Sequence, residues 1–401
     1  MLYLQARRIL PTMDIVKGKI DQAIKILGEL ELDCWLVFVR ETEMASDPVM
    51  PLVVDHSVVW ESFFIYTRHG DAIALVGNFD EEDFKKSGHF TEVLSYTEGV
   101  SQDFRKILNR LDPAQIAINY SVNDCAADGL SHGMYLQLEG YLNKTPYIER
   151  LISAEPIIAR LRSRKLPSEI KLLKKAAEVA DEVWHNAVKK IHSGMSEIEI
   201  AALIDDLIDK TGNARSFVTI VNAGDKTRPG HSRPTGAKLA GGDLLHVDFG
   251  VKHQDYCSDI QRLLYVKRPG ESTPPAELLE AFQMVNEIIT ETATMCRPGA
   301  KGFEIDARAR EMLEQNGYAV YEHALGHQLG RSVHDGGAII GPKWERYGLT
   351  PTIPLEENNV FTLELEIILP GIGCVGLEED VKVTENGAVF LSPRQMELAV
   401  K

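Results

Sequence analysis

Strand-like apolar runs alternate with amphipathic, helix-like stretches over the first 150 residues. Helical periodicity at about 14–30 precedes a continuous apolar run at 34–39, which is typical of a buried strand. Similar strand patterns occur at 62–66, 72–76 and 115–119. Strands that alternate with helices predict an α/β domain, and we find no catalytic motif in this part.

A second domain is predicted from a change in composition near residue 160. A basic stretch from Arg160 to Lys165 ends at Pro167. Beyond it, apolar residues recur at three- and four-residue spacing, which predicts a long helix over 168–191. We therefore assign 1–160 to the first domain and 161–401 to the second.

The second domain contains a weak internal repeat. Residues 194–214 match residues 299–319 at a constant offset of 105 positions. Each copy has a glycine, a helix start, an amphipathic helix and a second glycine at the point where helices often end. Ser196 and Glu199 form a capping-box pattern in the first copy. Such a duplication predicts two pseudo-symmetric halves with a ligand cleft between them.

Four acidic residues of the second domain lie in apolar, strand-like sequence. Asp248 ends one apolar run and Asp259 follows a short loop, so a hairpin would bring them together. Glu364 and Glu378 repeat this arrangement around a turn at 370–373. Carboxylates in apolar strands are costly unless they are paired or bind a cation. A salt bridge or a solvated strand face explains any one acid alone, but four acids in two matched hairpins favour a cation site.

Histidines follow in the same domain. His323 and His327 have the spacing of a zinc-protease helix, and His334 lies a few residues further on. Ala324 replaces the glutamate that such a helix needs, and two glycines argue against a regular helix. Four carboxylates and one imidazole suit two divalent first-row metal ions. Such a pair activates water for hydrolysis of a carbonyl or related centre.

The order of these motifs resembles the pita-bread metallopeptidases. Within that family the chain is most similar to the aminopeptidase P and prolidase branch, which cleaves Xaa-Pro bonds, and to creatinase in its domain plan. The resemblance implies an α/β (α+β) fold, with a small creatinase-type N-terminal domain and a pseudo-symmetric pita-bread catalytic domain. It rests on five segments: 247–250, 256–262, 323–330, 362–364 and 377–380.

The resemblance also implies a ligand set for two metal ions. Asp248 would bind one ion, and Asp259 and Glu378 would bridge both. His327 and Glu364 would complete the other site, and Glu364 is also a candidate catalytic base for the bridging water. Manganese, cobalt, zinc and iron all suit such ligands.

Three further histidines receive roles from the same resemblance. His231 falls at the position of a substrate-binding histidine and is a candidate catalytic residue. His334 would contact the substrate or transfer protons. His323 would line the substrate pocket or support a ligand from behind.

Positions in the expected cleft differ from the family pattern. The Pro-Gly pair that commonly follows the first glutamate is Leu365-Glu366 here, and Gly376 replaces an arginine that proline-directed members often carry. No metal ligand is lost, so these differences bear on the Xaa-Pro preference. One alternative is a metal-dependent hydrolase or lyase of a small amide, guanidino or zwitterionic metabolite. Another is a catalytically inactive binding module, against which the complete ligand set argues.

The composition of the chain restricts the classes of molecule that it is expected to bind. The chain has 43 basic and 59 acidic residues, and its net charge of −16 argues against nucleic acid or anionic lipid. Its five scattered cysteines contain no CxxC pair, which favours reduced thiols. We find no signal pattern and no long apolar run, so we expect a cytoplasmic protein that does not enter a membrane. The expected substrate is a short peptide or small molecule, and the resemblance adds an expected homodimer.

Overall fold

A computed structural model describes residues 10–226, 232–319 and 321–401. Backbone contacts divide the chain into two compact units, with the boundary between Arg162 and Ser163. No described helix is both long and apolar enough to cross a membrane. The assignment of the first unit to the creatinase type stays a prediction.

The first unit is built on one mixed sheet. In chain order its elements are α1 (Leu10–Glu29), β1 (Cys34–Val39), α2 (Met50–Val53), β2 (Ser62–Thr67), β3 (Ala72–Gly77), α3 (Glu81–Ser87), β4 (Glu92–Tyr96), α4 (Ser101–Leu111), β5 (Ile116–Ile118), α5 (His132–Leu142), β6 (Leu151–Ser153) and α6 (Glu155–Ser163). The strand order is β4-β3-β2-β1-β5-β6. The four strands predicted from apolar runs are confirmed as β1, β2, β3 and β5, to within one or two residues at their ends.

Both faces of this sheet are covered, which explains the continuous apolar runs. Trp35 and Val37 of β1 belong to a core that also contains residues of α1. The alternate residues Leu36 and Phe38 belong to a second core with residues of α4 and α5. A strand buried on both sides has no polar face, so its sequence does not alternate.

The second unit contains the 24-residue helix α7 and the second large sheet. In chain order its elements are α7 (Pro167–Lys190), α8 (Glu197–Lys210), β7 (Ala214–Arg215), β8 (Ile220–Ala223), β9 (Leu244–Phe249), β10 (Val251–His253), β11 (Tyr256–Cys257), β12 (Ile260–Tyr265), α9 (Ala276–Met295), α10 (Gly302–Gln315), β13 (Val360–Leu369), β14 (Gly373–Thr384), β15 (Gly387–Phe390) and β16 (Ala399–Val400). The large sheet has the order β13-β14-β12-β9-β8, with β15 beside β14 and β16 beside β12.

The internal repeat corresponds to matching helices in this unit. Helices α8 and α10 each have 14 residues and begin 105 positions apart. Gly212 and Gly317, which follow them, both have φ of 76°. This left-handed conformation is readily adopted by glycine and ends each helix. The predicted boundaries of both repeat helices are therefore confirmed.

Each half of the second unit packs a helix pair against its own strands. Residues of α7 and α8 share a core with Val247 and Phe249 of β9. Residues of α9 and α10 share another core with Leu363 and Leu365 of β13. Because side chains alternate along a strand, Asp248 and Glu364 lie on the opposite face of the sheet from these residues.

A buried ion pair connects β12 to β14. The Nη2 atom of Arg262 lies 3.0 Å from Oε2 of Glu379, and each side chain is only 1% exposed. The Nη1 atom of Arg262 also donates to the carbonyl oxygens of Gln261 and Glu378, both at 2.9 Å. The guanidinium therefore holds the two backbones together at the level of the predicted ligands.

Replacing Glu379 by Gln should destabilise the protein strongly, because it leaves the Arg262 guanidinium buried without its counter-charge. Loss of one partner of a buried pair costs about 3–5 kcal/mol. Urea unfolding would measure the change. Asp206→Asn is the matched control, since the Asp206–Lys210 pair is well exposed and should contribute little. Equal stability of the two variants would contradict this role for the buried pair.

Candidate metal centre

Four strands of the large sheet place one polar side chain each in a single row. Asp248 on β9 is the register partner of Gln261 on β12. Gln261 in turn is opposite Glu378 on β14. Glu378 is opposite Glu364 on β13. Residues directly opposite each other project from the same face of a sheet, so three carboxyl groups and one amide are neighbours.

Asp259 and His327 join this row from adjoining segments. Asp259 precedes Gln261 by two residues, which puts it on the same face as the row. The Nε2 atom of His327 lies 3.6 Å from Asp259 Oδ2, 3.8 Å from Glu364 Oε1 and 3.9 Å from Glu378 Oε1. Ligand atoms of Asp259, His327 and Glu378 lie within 4.8 Å of one another. One cation could therefore contact all three.

The segment that carries His327 is not helical, as its two glycines indicated. Its backbone pairs with β13, where the Thr362 N–H donates to the His327 carbonyl oxygen at 2.9 Å. A Cβ atom on Gly326 would lie 2.0 Å from the Thr362 carbonyl oxygen. One on Gly330 would lie 2.0 Å from a carboxylate oxygen of Asp335. The two glycines thus allow the close approach that fixes the histidine beside the carboxylates.

The carboxyl groups lie close together, with Asp259 and Glu378 buried and Asp248 and Glu364 half-buried. Burial, followed by repulsion from neighbouring carboxylates, raises the pKa of Asp248, Asp259 and Glu378 well above the usual range. Burial and the nearby Asp248 raise the pKa of Glu364 to about 8. Such close carboxylates cannot all ionise without added positive charge.

The donor set fits divalent metal ions. Oδ1 of Asp248 and Oδ1 of Asp259 are buried and accept no hydrogen bond from any described residue. Buried oxygens without partners are costly, and cation coordination would satisfy them. Carboxylate oxygens with an imidazole nitrogen are suitable ligands for first-row divalent metals.

The five predicted ligands all line one cavity of about 610 Å³ within the second unit. Its wall also contains apolar and basic side chains. Phe217 and Val218 are among the apolar ones, and Arg233, Lys252 and Arg331 are basic. The cavity therefore combines a negatively charged cluster with several cations.

The predicted histidines are distributed unevenly. His334 lines the cavity, and its ring centre is 4.5 Å from that of His327 in an edge-to-face arrangement. His323 is exposed and packs against Tyr321, with ring centres 5.6 Å apart. It is not among the described residues that line this cavity, so its predicted place in the pocket lacks support. His231 lies outside the described residues, and its role stays a prediction.

The sequence patterns missed a chain of hydrogen bonds beside the carboxyl groups. Gln261 donates to both Glu364 and Glu378, and its amide oxygen lies 2.9 Å from Nε2 of His246. Strand alternation carried a signal for these residues. Gln261 is two residues after Asp259, and His246 is two residues before Asp248, so each shares the face of a predicted ligand.

Comparison with known proteins agrees with this arrangement. Metallopeptidase family M24 matches residues 171–385. An Xaa-Pro dipeptidase from Pyrococcus horikoshii is 31% identical over 391 residues, covering 96% of this chain and 100% of that protein. The solved structure of an Xaa-Pro dipeptidase from Bacillus anthracis has a TM-score of 0.76 at 23% identity, covering 96% of this chain and 100% of that one. The solved structure of an X-Pro aminopeptidase from Thermotoga maritima has a TM-score of 0.72 at 24% identity. The match covers 95% of this chain and 99% of that one.

The chain belongs to metallopeptidase family M24. Its fold is the predicted two-domain α/β arrangement with a pita-bread catalytic domain. The predicted enzyme class, a metallopeptidase, is likewise confirmed by the family match and the full-length relative.

The metal-free protein should become less stable as pH rises. Unfolded carboxyl groups have pKa values near 4, whereas Glu364 has a pKa of about 8 in the fold. The folded state therefore binds more protons across this window, and the free energy of unfolding falls as pH increases. Melting temperatures of EDTA-treated protein at pH 6 and pH 8.5 would measure the effect.

Added Mn²⁺ provides the control for this measurement. A divalent cation replaces the bound protons as counter-charge, so it should raise the melting temperature more at pH 8.5 than at pH 6. A metal-free protein as stable at pH 8.5 as at pH 6, with no pH dependence of the Mn²⁺ effect, would contradict the electrostatic account of the cluster.

Proposed function

We propose that this protein is an Xaa-Pro dipeptidase or aminopeptidase that cleaves short peptides with two bound divalent metal ions. The observation that carries the proposal is the cluster of four carboxyl groups, two of them buried and two half-buried, that lines one cavity with His327. The Pyrococcus horikoshii relative, which matches over its full length, is named an Xaa-Pro dipeptidase and supports the substrate class.

The ligand roles proposed here follow the family resemblance. Asp248 would hold one ion, Asp259 and Glu378 would be shared by both, and His327 and Glu364 would complete the second site. When bound, such a pair of ions would supply an activated water molecule and polarise the scissile carbonyl. Manganese, cobalt, zinc or iron would serve, because carboxylate-rich ligation accepts all of them.

The chain's own residues position the substrate and move protons. Glu364 is the proposed base, since its carboxyl group lies in the cluster where the attacking water must lose a proton. His334 lines the same cavity beside His327, so it can contact the peptide or transfer a proton to the departing amine. His231 is proposed as a substrate-binding and catalytic residue by resemblance alone, and His323 as a substrate-binding residue on the same basis.

The charges of the cavity favour a peptide short enough to present its carboxylate. Lys252 lines the cavity and forms no ion pair with a described residue. Arg331 also lines it, with Asp255 at 3.2 Å and the centre of the Tyr256 ring 5.4 Å from its guanidinium carbon. A cavity of about 610 Å³ is within the range of small-ligand sites. We propose that Lys252 and Arg331 bind the C-terminal carboxylate of the substrate.

Purified protein supplied with Mn²⁺, Co²⁺ or Zn²⁺ should hydrolyse Xaa-Pro dipeptides or short Xaa-Pro peptides. Matched Xaa-Ala peptides would measure how far proline is required. Asp259→Asn should lower kcat/KM strongly, because it removes a negative charge that both ions would share. The exposed-site variant Asp206→Asn should leave kcat/KM unchanged.

Failure to cleave any of these peptides, despite two metal ions per chain, would refute the peptidase assignment. It would favour the alternative of a metal-dependent hydrolase or lyase acting on a small amide, guanidino or zwitterionic metabolite. Glu366 lies opposite Gly376 in the strand register, so the site differs from the family pattern where such a preference could be set.

Lys252→Ala should raise KM for a dipeptide with a free carboxylate by about ten-fold, the value of one charge-assisted contact. The same peptide with an amidated C-terminus should show little change, and kcat should be nearly unaffected. Lys238→Ala, an exposed lysine outside the cavity lining, serves as the control. An equal rise in KM for both peptides would contradict carboxylate binding by Lys252.

A homodimer and a cytoplasmic location, both expected from the sequence, stay predictions. Gel filtration with light scattering would determine the first.

A further inference from the structure

Gln261 is the uncharged member of the row formed by Asp248, Gln261, Glu378 and Glu364. Its Nε2 atom lies 3.0 Å from Oε2 of Glu364 and 3.1 Å from Oε2 of Glu378. A carboxylate can only accept hydrogen bonds, so the nitrogen end of the amide faces both glutamates. One amide group therefore binds two of the proposed metal ligands.

His246 fixes the opposite end of this amide. Its Nε2 atom is 2.9 Å from Oε1 of Gln261, and because an amide oxygen only accepts, Nε2 carries the hydrogen. In a neutral ring Nδ1 is then an acceptor, which matches Nδ2 of Asn222 at 3.2 Å. Ser232 extends the chain by donating to Oδ1 of Asn222 at 3.3 Å. Every donor thus points towards the carboxylates.

The side chains that form this series of hydrogen bonds lie in the protein interior. His246 is 3% exposed, Gln261 7% and Asn222 1%. The Gln261 amide is hydrogen-bonded at both its nitrogen and its oxygen, so rotation would leave a buried donor or acceptor unpaired. The orientation of the Gln261 amide is therefore determined by the protein before any ligand binds.

Gln261 also separates the two oxygens of each glutamate. It binds the Oε2 atoms, while Oε1 of Glu364 and Oε1 of Glu378 are 3.8 and 3.9 Å from Nε2 of His327. The Oε1 atoms are thus left available on the side of the imidazole. This is the arrangement that a cation shared by His327 and both glutamates requires.

Gly376 is needed for the same contact. A Cβ atom at this position would lie 2.7 Å from Oε1 of Gln261 and 2.7 Å from Nε2 of His246. Any side chain at 376 would therefore push these two atoms out of place. Glycine at 376, where the family pattern often has arginine, thus leaves both atoms in place, whereas a side chain there would displace them.

We propose that Gln261, oriented by His246, is a positioning residue of the metal centre, which holds Glu364 and Glu378 with their Oε1 atoms towards the ion shared with His327. Gly376 leaves the space for this pair. The inference rests on the proposed metal-dependent function and adds to it the residues that set the geometry of the ligands. Loss of a hydrogen bond that orients a metal ligand typically lowers metal affinity by about 10–100-fold.

Calorimetric titration of the metal-free protein with Mn²⁺ would test the proposal, together with the visible absorption spectrum of the Co²⁺ form, which reports ligand geometry. Gln261→Ala should weaken Mn²⁺ binding by about 10–100-fold and change the Co²⁺ spectrum. Gly376→Ala, which displaces the pair without deleting it, should change both in the same direction. Gln283→Ala is the control, since it removes an exposed glutamine that donates to Glu287 at 2.7 Å.

Two variants of His246 distinguish hydrogen bonding from packing. His246→Gln can still donate to Oε1 of Gln261, so it should retain more Mn²⁺ affinity than His246→Leu. Melting temperatures would show that each variant is folded. An equal loss in both variants would overturn the role of the hydrogen bond.

The experiment distinguishes failure of the positioning role from failure of the proposed metal centre. If the unaltered protein binds no divalent ion, the proposed metal centre fails. If it binds Mn²⁺ while folded Gln261→Ala and Gly376→Ala match it in affinity and Co²⁺ spectrum, the positioning role alone is overturned.

Discussion

Mutual repulsion among closely packed carboxyl groups is the constraint on which the second unit depends. Asp248, Asp259, Glu364 and Glu378 are packed into the sheet, where burial and their neighbours oppose ionisation. Protons or cations must therefore be bound for the fold to tolerate them. The surrounding structure keeps these groups together at this cost, which is the behaviour expected of a site built for positively charged ligands.

The duplicated architecture explains how a chain can hold such a cluster. Each half supplies strands carrying carboxylates and a helix pair that packs against the opposite face of those strands. The apolar core of each half lies between its helices and the sheet. The other face of the sheet can therefore carry polar groups. Arg262 and Glu379 then join β12 to β14, the two strands at which the halves meet. The ligands are thus placed by backbone pairing, which is more rigid than a loop.

Much of this could be predicted from the sequence because the signals are local. Continuous apolar runs indicated the buried strands of the first unit, and glycines marked both ends of the repeat helices. Asp248, Asp259, Glu364 and Glu378 were conspicuous because each interrupts apolar sequence. The glycines around His327 correctly argued against a helix, since Gly326 packs directly on the Thr362 backbone.

The residues that the sequence analysis did not identify depend on strand register, and no local sequence pattern encodes the register between distant strands. Gln261 and Glu378 are 117 positions apart, and their contact exists only because β12 and β14 pair at that level. His246 likewise looks like an ordinary strand residue until its ring is seen against Gln261. The packing of His323 against Tyr321 also could not be read from its spacing, because that segment is not helical.

The central claim is that Asp248, Asp259, Glu364 and Glu378, with His327, form a centre for two divalent ions. Diffraction from crystals grown with Mn²⁺, collected on both sides of the manganese absorption edge, tests it most directly. Two anomalous peaks per chain are expected, both bounded by Asp259 and Glu378, with one also near Asp248 and the other near His327 and Glu364. A single peak, no peak, or peaks away from these residues would contradict the claim.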